Sequence, residues 1–152
     1  MSTILVPVDY SEHALRVLEF AGKLAQRLNA SLCALYVWET MPHFPPELCV
    51  TTTAGPRCLD EIVKESAVRE MKEFLGRAEL PASLPIESQV ESGAAAAKIV
   101  DYIPKCGADL VVVGTHGRGG VKHWVLGSVA ERVVRLSPVP VITVPERRRE
   151  VG

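Results

Sequence analysis

Short apolar segments alternate with longer amphipathic segments along this chain. The apolar segments have the length and composition of β-strands, and five strands are predicted, at 3–9, 30–38, 86–91, 109–114 and 139–144. Apolar residues recur at helical spacing between them, and four helices are predicted, at about 12–28, 58–78, 93–104 and 127–136. This alternation favours one α/β domain, with a parallel sheet covered by helices on both faces.

The composition of each strand predicts its place in the sheet. Strand 30–38 is almost entirely apolar, which is typical of a central strand. Strand 86–91 alternates apolar and polar residues, so we expect it at a half-exposed edge. Strand 139–144 contains Pro140, which cannot donate a ladder hydrogen bond, and this also predicts an edge.

An apolar strand at a sheet edge needs a cover. The simplest cover for strand 139–144 is the same strand of a second copy, which predicts a two-fold homodimer. The alternative is that helices and the C-terminal tail, 146–152, hide this edge.

Segment 39–57 shows neither helical nor strand periodicity and holds four of the eleven prolines. It is predicted to be a long loop, and such loops serve as lids, partner contacts or mobile insertions. Cys49, Cys58 and His43 lie in or beside it. A metal or redox site is one interpretation of these residues, and an inert pair of cysteines is the favoured one.

Length and composition limit the class of protein. The 152 residues correspond to one domain, 1–152, and the 47% hydrophobic content is typical of a folded globular chain. The net charge of -1 gives no general attraction to nucleic acid or to an anionic membrane. No apolar run approaches the roughly 18 residues of a membrane-spanning helix, and no N-terminal signal is recognisable, so we expect a cytoplasmic protein.

Candidate chemistry lies at the carboxyl ends of the first and fourth predicted strands. In a doubly wound sheet, ligands bind where successive connections depart in opposite directions. The first strand ends in Pro7, Val8 and Asp9. The fourth strand ends at Gly114 and leads into a glycine-rich stretch.

The glycine-rich stretch has the spacing G-x2-G-x9-G-S, formed by Gly114, Gly117, Gly127 and Ser128. Glycines let backbone N–H groups approach a ligand, and the start of the last helix adds unsatisfied donors and a dipole that favours an anion. A phosphate chain fits this description, although a tight strand-to-helix loop would also explain one or two of the glycines. Neither the Walker motif nor the G-x-G-x-x-G dinucleotide motif is present.

The chain resembles the ATP-binding branch of the universal stress protein family. The resemblance is carried by ILVPVDYSEHA, LYVW, VVVGTHGRGG, LGSVAERVV and PVPVITV, and it extends over nearly the whole chain. It implies a Rossmann-like fold of the adenine nucleotide alpha hydrolase type, with five parallel strands in the order 3-2-1-4-5. It also implies bound ATP, with Mg or Mn as an accompanying metal, and a dimer formed through the last strand.

The resemblance also implies a set of binding residues. Pro7, Val8 and Asp9 would hold the adenosine, Val37 would meet adenine through its backbone, and Gly114 would line the ribose. The segment around the triphosphate would comprise Thr115, His116, Gly117, Gly127, Ser128 and Val129. Arg118 and Lys122 are the nearest basic candidates for the outer phosphates, and an exposed loop charge is an equally good interpretation of each.

One residue departs from the family pattern. The phosphate loop of the family often continues G-S-V-[ST], whereas this chain has Ala130 after Val129, which removes one hydroxyl donor. Because a neutral hydrogen bond contributes roughly 1 kcal/mol, we expect affinity to fall several-fold without being abolished.

Three functions follow from these observations. The first is an ATP-binding, dimeric stress-response regulator with little or no catalysis, and no catalytic residue is assigned to it. The second is a nucleotide-free family member that binds another protein. The third is a slow ATP hydrolase.

Overall fold

Seven strands and four helices form the part of the chain that this computed structural model describes, residues 1–39, 43–45, 47–115 and 126–146. In chain order they are β1 (Thr3–Val8), α1 (Glu12–Leu28), β2 (Ser31–Trp38), β3 (Cys49–Thr52), β4 (Gly55–Cys58), α2 (Leu59–Arg77), β5 (Ile86–Ser92), α3 (Ala95–Cys106), β6 (Leu110–Gly114), α4 (Ser128–Leu136) and β7 (Val141–Val144).

Five of the strands form a parallel sheet in the order β5-β2-β1-β6-β7. Counted along the five predicted strands, this is the order 3-2-1-4-5, so the predicted fold class is confirmed. Both expected edge strands, β5 and β7, lie at the edges. The last strand begins at Val141 rather than at Val139, because Ser137 and Val139 form a tight turn in which Ser137 Oγ donates to the Val139 carbonyl at 2.7 Å.

Segment 39–57 differs from the expected irregular loop, because β3 and β4 form an antiparallel hairpin within it. Gly55 adopts a φ of 108° at the turn, a conformation that favours glycine. The Thr52 hydroxyl donates to the Gly55 carbonyl at 2.8 Å and accepts from the Ala54 amide at 3.2 Å. These local contacts close the turn, and the high proline content of the segment hides the two short strands from a search for periodicity.

Apolar side chains fill both faces of the sheet. Alternate residues of β1 point to opposite faces, so Val6 packs on the side of α1 and α2 while Leu5 packs on the side of α3 and α4. Phe74 of α2 and Ile103 of α3 are buried on these two sides. Helices therefore cover both faces, as predicted, and none of the described helices has the length and apolar character needed to cross a membrane.

The first helix has well-defined ends that fix its position against β1. Ser11 is the N-cap, and its hydroxyl accepts a hydrogen bond from the Ala14 amide at 3.1 Å. Asn29 closes the helix in the left-handed conformation, with a φ of 51°. Only three residues separate the end of β1 from the start of the helix, which therefore begins beside the carboxyl edge of the sheet.

Candidate functional site

A cavity of about 320 Å³ opens at the carboxyl ends of β1 and β6. Nine of the twelve binding residues expected from the sequence line it, namely Pro7, Val8, Asp9, Val37, Gly114, Thr115, Gly127, Ser128 and Val129. The other three, His116, Gly117 and Arg118, lie outside the described residues, as does Lys122.

Sheet topology explains why the cavity lies at this place. The chain leaves β1 towards β2 on one side, and it leaves β6 towards β7 on the other. The connections diverge, and they leave a crevice above the two adjacent strand ends. The sequence prediction relied on the same rule, which is why it selected residues that are far apart in the chain.

The wall formed by α4 presents backbone donors. Gly127 is the N-cap of α4 and makes no side-chain capping bond, and Ser128, Val129 and Ala130 form the first turn. The Gly127 amide itself donates to the Thr115 carbonyl at 2.6 Å, which ties the helix start to the end of β6. The first-turn amides of a helix have no intrahelical acceptors, so this wall can receive an anion.

Asp9 is the acidic residue that lines the cavity. One of its carboxylate oxygens accepts a hydrogen bond from the Ser11 amide at 3.0 Å, which holds the side chain at the turn between β1 and α1. Tyr10, between them, has a φ of 64°, a left-handed conformation that turns the chain sharply out of the sheet. The strained turn therefore positions the carboxylate at the mouth of the crevice.

His13 is a lining residue that the sequence prediction missed. It is only 6% exposed, and its Nε2 donates to the Val144 carbonyl at 3.1 Å. A carbonyl can only accept, so Nε2 carries a proton. Nδ1 is buried without a hydrogen-bond partner among the described residues. The sequence does hold a signal for this residue: His13 lies four positions before Val17, so a polar side chain falls on the apolar face of α1.

The remainder of the lining is mostly apolar. Leu35 and Val37 come from β2, and Ala95 and Ile99 come from α3. The cavity therefore combines apolar surface from these elements with the donor-rich start of α4 and the Asp9 carboxylate. A ligand with a flat apolar part and an anionic part matches this combination.

Within the described ranges, no three His, Cys, Asp or Glu side chains are grouped so as to hold a metal ion. Asp9 alone supplies a carboxylate to the described lining. A divalent metal at this site would therefore need most of its oxygen ligands from the bound molecule and from water.

Comparison with known proteins identifies the family. The model of the universal stress protein family matches residues 1–145. The universal stress protein MJ0531 of Methanocaldococcus jannaschii is 30% identical over 147 residues, which are 97% of this chain and 84% of that protein. The solved structure of hypothetical protein MJ0577 has a TM-score of 0.77 at 24% identity and is covered to 97%, as is this chain.

A further solved structure, of a universal stress protein in complex with cAMP, is 26% identical with a TM-score of 0.62. The match covers 94% of this chain and 95% of that one. The family model, the curated relative and the shared architecture agree over almost the whole sequence. This chain belongs to the universal stress protein family.

Proposed function

We propose that this protein binds ATP in the cavity between β1 and β6 and acts as a nucleotide-dependent regulator. The observation that carries the proposal is the convergence of three features in one cavity: the uncapped start of α4, the Asp9 carboxylate and an apolar wall. Each feature suits a different part of an adenine nucleotide.

The apolar wall suits the adenine ring. Leu35, Val37 and Ile99 offer aliphatic surface on which a flat aromatic ring can pack. Val37 lies one residue before the end of β2 and lines the cavity. Asp9 lies at the other strand end, where a carboxylate can accept hydrogen bonds from ribose hydroxyls.

The start of α4 suits the phosphates. The amides of Ser128 and Val129 belong to a first turn whose N-cap supplies no side-chain acceptor. An anion placed there gains hydrogen bonds and a favourable interaction with the helix dipole. The family resemblance adds His116, Gly117 and Arg118 to the proposed phosphate-binding segment.

Support from other proteins comes from the universal stress protein solved in complex with cAMP. That ligand is an adenine nucleotide, which supports the class of ligand proposed here. The extension to a triphosphate rests on the G-x2-G-x9-G-S spacing, because its glycines leave room for several phosphate groups. Mg²⁺ or Mn²⁺ would accompany the triphosphate, held mainly by phosphate oxygens, and Asp9 is the one carboxylate that the described lining offers it.

The proposed assembly is a homodimer formed through β7. This strand pairs with β6 on one side of the sheet and is the edge strand on the other. Val141, Ile142 and Val144 are half-buried, while Thr143 is exposed. Addition of the same strand from a second copy would satisfy the open hydrogen-bonding edge.

A second candidate function is favoured by Ala130. This residue lines the cavity and is 3% exposed, so it presents a methyl group where the family pattern has a hydroxyl. A family member with a weakened phosphate site could bind another protein instead of a nucleotide. Slow ATP hydrolysis is a third outcome, which turnover of labelled ATP would reveal.

Calorimetric titration with ATP and MgCl₂ tests the proposal. The wild-type chain should bind ATP, and Asp9→Ala should bind it at least several-fold more weakly, since it loses a charge-assisted hydrogen bond. Asp101→Ala is the matched control, because Asp101 is an exposed residue of α3 away from the cavity lining. No heat of binding at millimolar ATP would reject the nucleotide function and favour the protein-binding module.

A further inference from the structure

Cys49 and Cys58 face each other across the hairpin formed by β3 and β4. They are directly opposite in the antiparallel register, and their Sγ atoms are 3.8 Å apart. The sequence favoured an inert pair of loop cysteines, because it gave no sign that the two residues are paired across strands. The hairpin brings them together.

The two cysteines occupy a non-hydrogen-bonded position of the ladder. Pro56 has no N–H, so its own pair cannot be hydrogen-bonded, and alternation places Cys49 and Cys58 in the same type of pair. The Leu59 amide donates to the Leu48 carbonyl at 2.8 Å, which is the hydrogen-bonded pair expected one step further along. Cα atoms in non-hydrogen-bonded pairs are about 4.5 Å apart, which lies within the range that a disulfide spans.

Only a small movement separates the present contact from a covalent bond. A disulfide has an S–S length of about 2.05 Å, so the sulfur atoms must approach by roughly 1.8 Å. Rotation of the two side chains about χ1 can provide this approach without a change of strand register.

Access and proton affinity give the two thiols different roles. Cys49 is exposed and Cys58 is half-buried, so an oxidant reaches Cys49 first. The hydrogen bond and the charge of Cys49 raise the pKa of the Cys58 thiol. By contrast, burial raises the pKa of the Cys33 thiol to about 12 and also raises that of Cys106. Those two cysteines are poor competitors for an oxidant.

We propose that Cys49 and Cys58 are a site of reversible oxidation, at which a hydroperoxide converts the two thiols into an intramolecular disulfide. The Cys49 thiolate attacks one oxygen of hydrogen peroxide and the O–O bond breaks, which leaves a sulfenic acid. The departing hydroxide takes up the proton that the Cys49 thiol released, and the first water forms. Cys58 then loses its proton and attacks the Cys49 sulfur, which releases the second water. Two thiols and one hydrogen peroxide thus give one disulfide and two waters, and a dithiol reductant reverses the change.

The disulfide would connect the hairpin to the start of α2. Cys58 is the N-cap residue of this helix and makes no side-chain capping bond. Arg57, its neighbour in β4, already forms an ion pair with Glu65 of α2. Oxidation would add a covalent link between β3 and the residue from which α2 begins. This inference does not depend on nucleotide binding.

Peptide mapping of the full-length chain tests the inference. The reduced protein is treated with hydrogen peroxide, free thiols are blocked, and the digest is analysed by mass spectrometry. We expect a loss of about 2 Da, reversed by dithiothreitol, and one cross-linked peptide joining Cys49 to Cys58. This peptide should exceed all other pairings by at least about tenfold, because the native hairpin holds the two thiols in contact.

Single variants provide the controls. Cys49→Ser and Cys58→Ser should each abolish the 2 Da loss, whereas the matched variant Cys106→Ser should retain it. Sulfinic acid on unlinked cysteines, a bond to Cys33 or Cys106, or a disulfide between two chains in the wild type would each overturn the inference. The wild-type map decides the question by itself if a serine variant fails to fold.

Discussion

The imidazole of His13 occupies the space that a side chain at position 114 would need. An ideal Cβ at Gly114 would lie 2.8 Å from His13 Nε2 and 2.9 Å from its Cδ2. The absence of a side chain at Gly114 therefore serves the packing of α1 against β6. The resemblance implied contact with a ribose at this position. The structure shows in addition that the His13 ring requires a glycine here, whether or not a ligand is bound.

Substitution of Gly114 by alanine should destabilise the protein. The new methyl group would overlap a buried ring that is held by a hydrogen bond, and overpacking of this kind costs typically about 1–3 kcal/mol. Urea denaturation would measure the change in the free energy of unfolding. Gly76→Ala is the matched control, because its Cβ position has no atom within 4 Å apart from its chain neighbours and the backbone of its own helix. A helical glycine replaced by alanine gains up to about 1 kcal/mol. Equal effects of the two substitutions would contradict the proposed contact.

The same contact predicts coupling between two positions. In a His13→Ala background the ring is absent, so Gly114→Ala should cost less than it does in the wild type. Residues in direct contact show coupling energies of about 0.5–3 kcal/mol. A double-mutant cycle of unfolding free energies would measure it. Additive effects would show that the two residues do not compete for space.

Ala130→Ser should strengthen ATP binding. The hydroxyl would be added within the first turn of α4, at a position that lines the cavity, and one further hydrogen bond of about 1 kcal/mol corresponds to roughly a fivefold gain in affinity. Titration calorimetry of the variant and the wild type would measure this difference. Ala97→Ser on the exposed side of α3 is the control and should leave the affinity unchanged. A weaker or unchanged affinity in Ala130→Ser would argue against phosphate contact at this turn.

Alkaline pH should destabilise the fold through Cys33. Burial raises the pKa of this thiol from 9.0 to about 12, so between these values the unfolded chain releases a proton that the folded chain keeps. The stabilisation by Cys33 is therefore fully present below pH 9 and is lost as the pH rises towards 12. Denaturation curves between pH 8 and roughly 10.5 should show a steeper loss of stability in the wild type than in Cys33→Ala. Parallel curves would mean that Cys33 does not carry this dependence.

The sequence predicted the main sheet and nine of the residues that line the cavity, because local rules and topology act together there. Pro140 placed β7 at an edge, and Ser11 and Asn29 marked the ends of α1. The rule that ligands bind at the carboxyl ends of diverging strands then predicted that Asp9 and Gly114 share one crevice, although they are distant in sequence.

The features that were missed depend on contacts between distant segments. The role of His13 follows from the space beside Gly114 and from the carbonyl of Val144, and neither is visible in the pattern of α1. The hairpin is short and holds Pro56, which normally argues against a strand. Pro56 is tolerated because it lies in a pair that makes no ladder hydrogen bond.

A single backbone oxygen, that of Val144, receives both the Nε2 proton of His13 and the amide proton of Thr115, at 3.1 Å each. The first turn of α1 and the exit of β6 are thereby anchored to the final residue of the outermost strand. Any molecule that displaces His13 or Thr115 on entering the crevice must also strain or break a hydrogen bond to β7. Filling of the crevice and the placement of this outer strand are consequently linked through one carbonyl group.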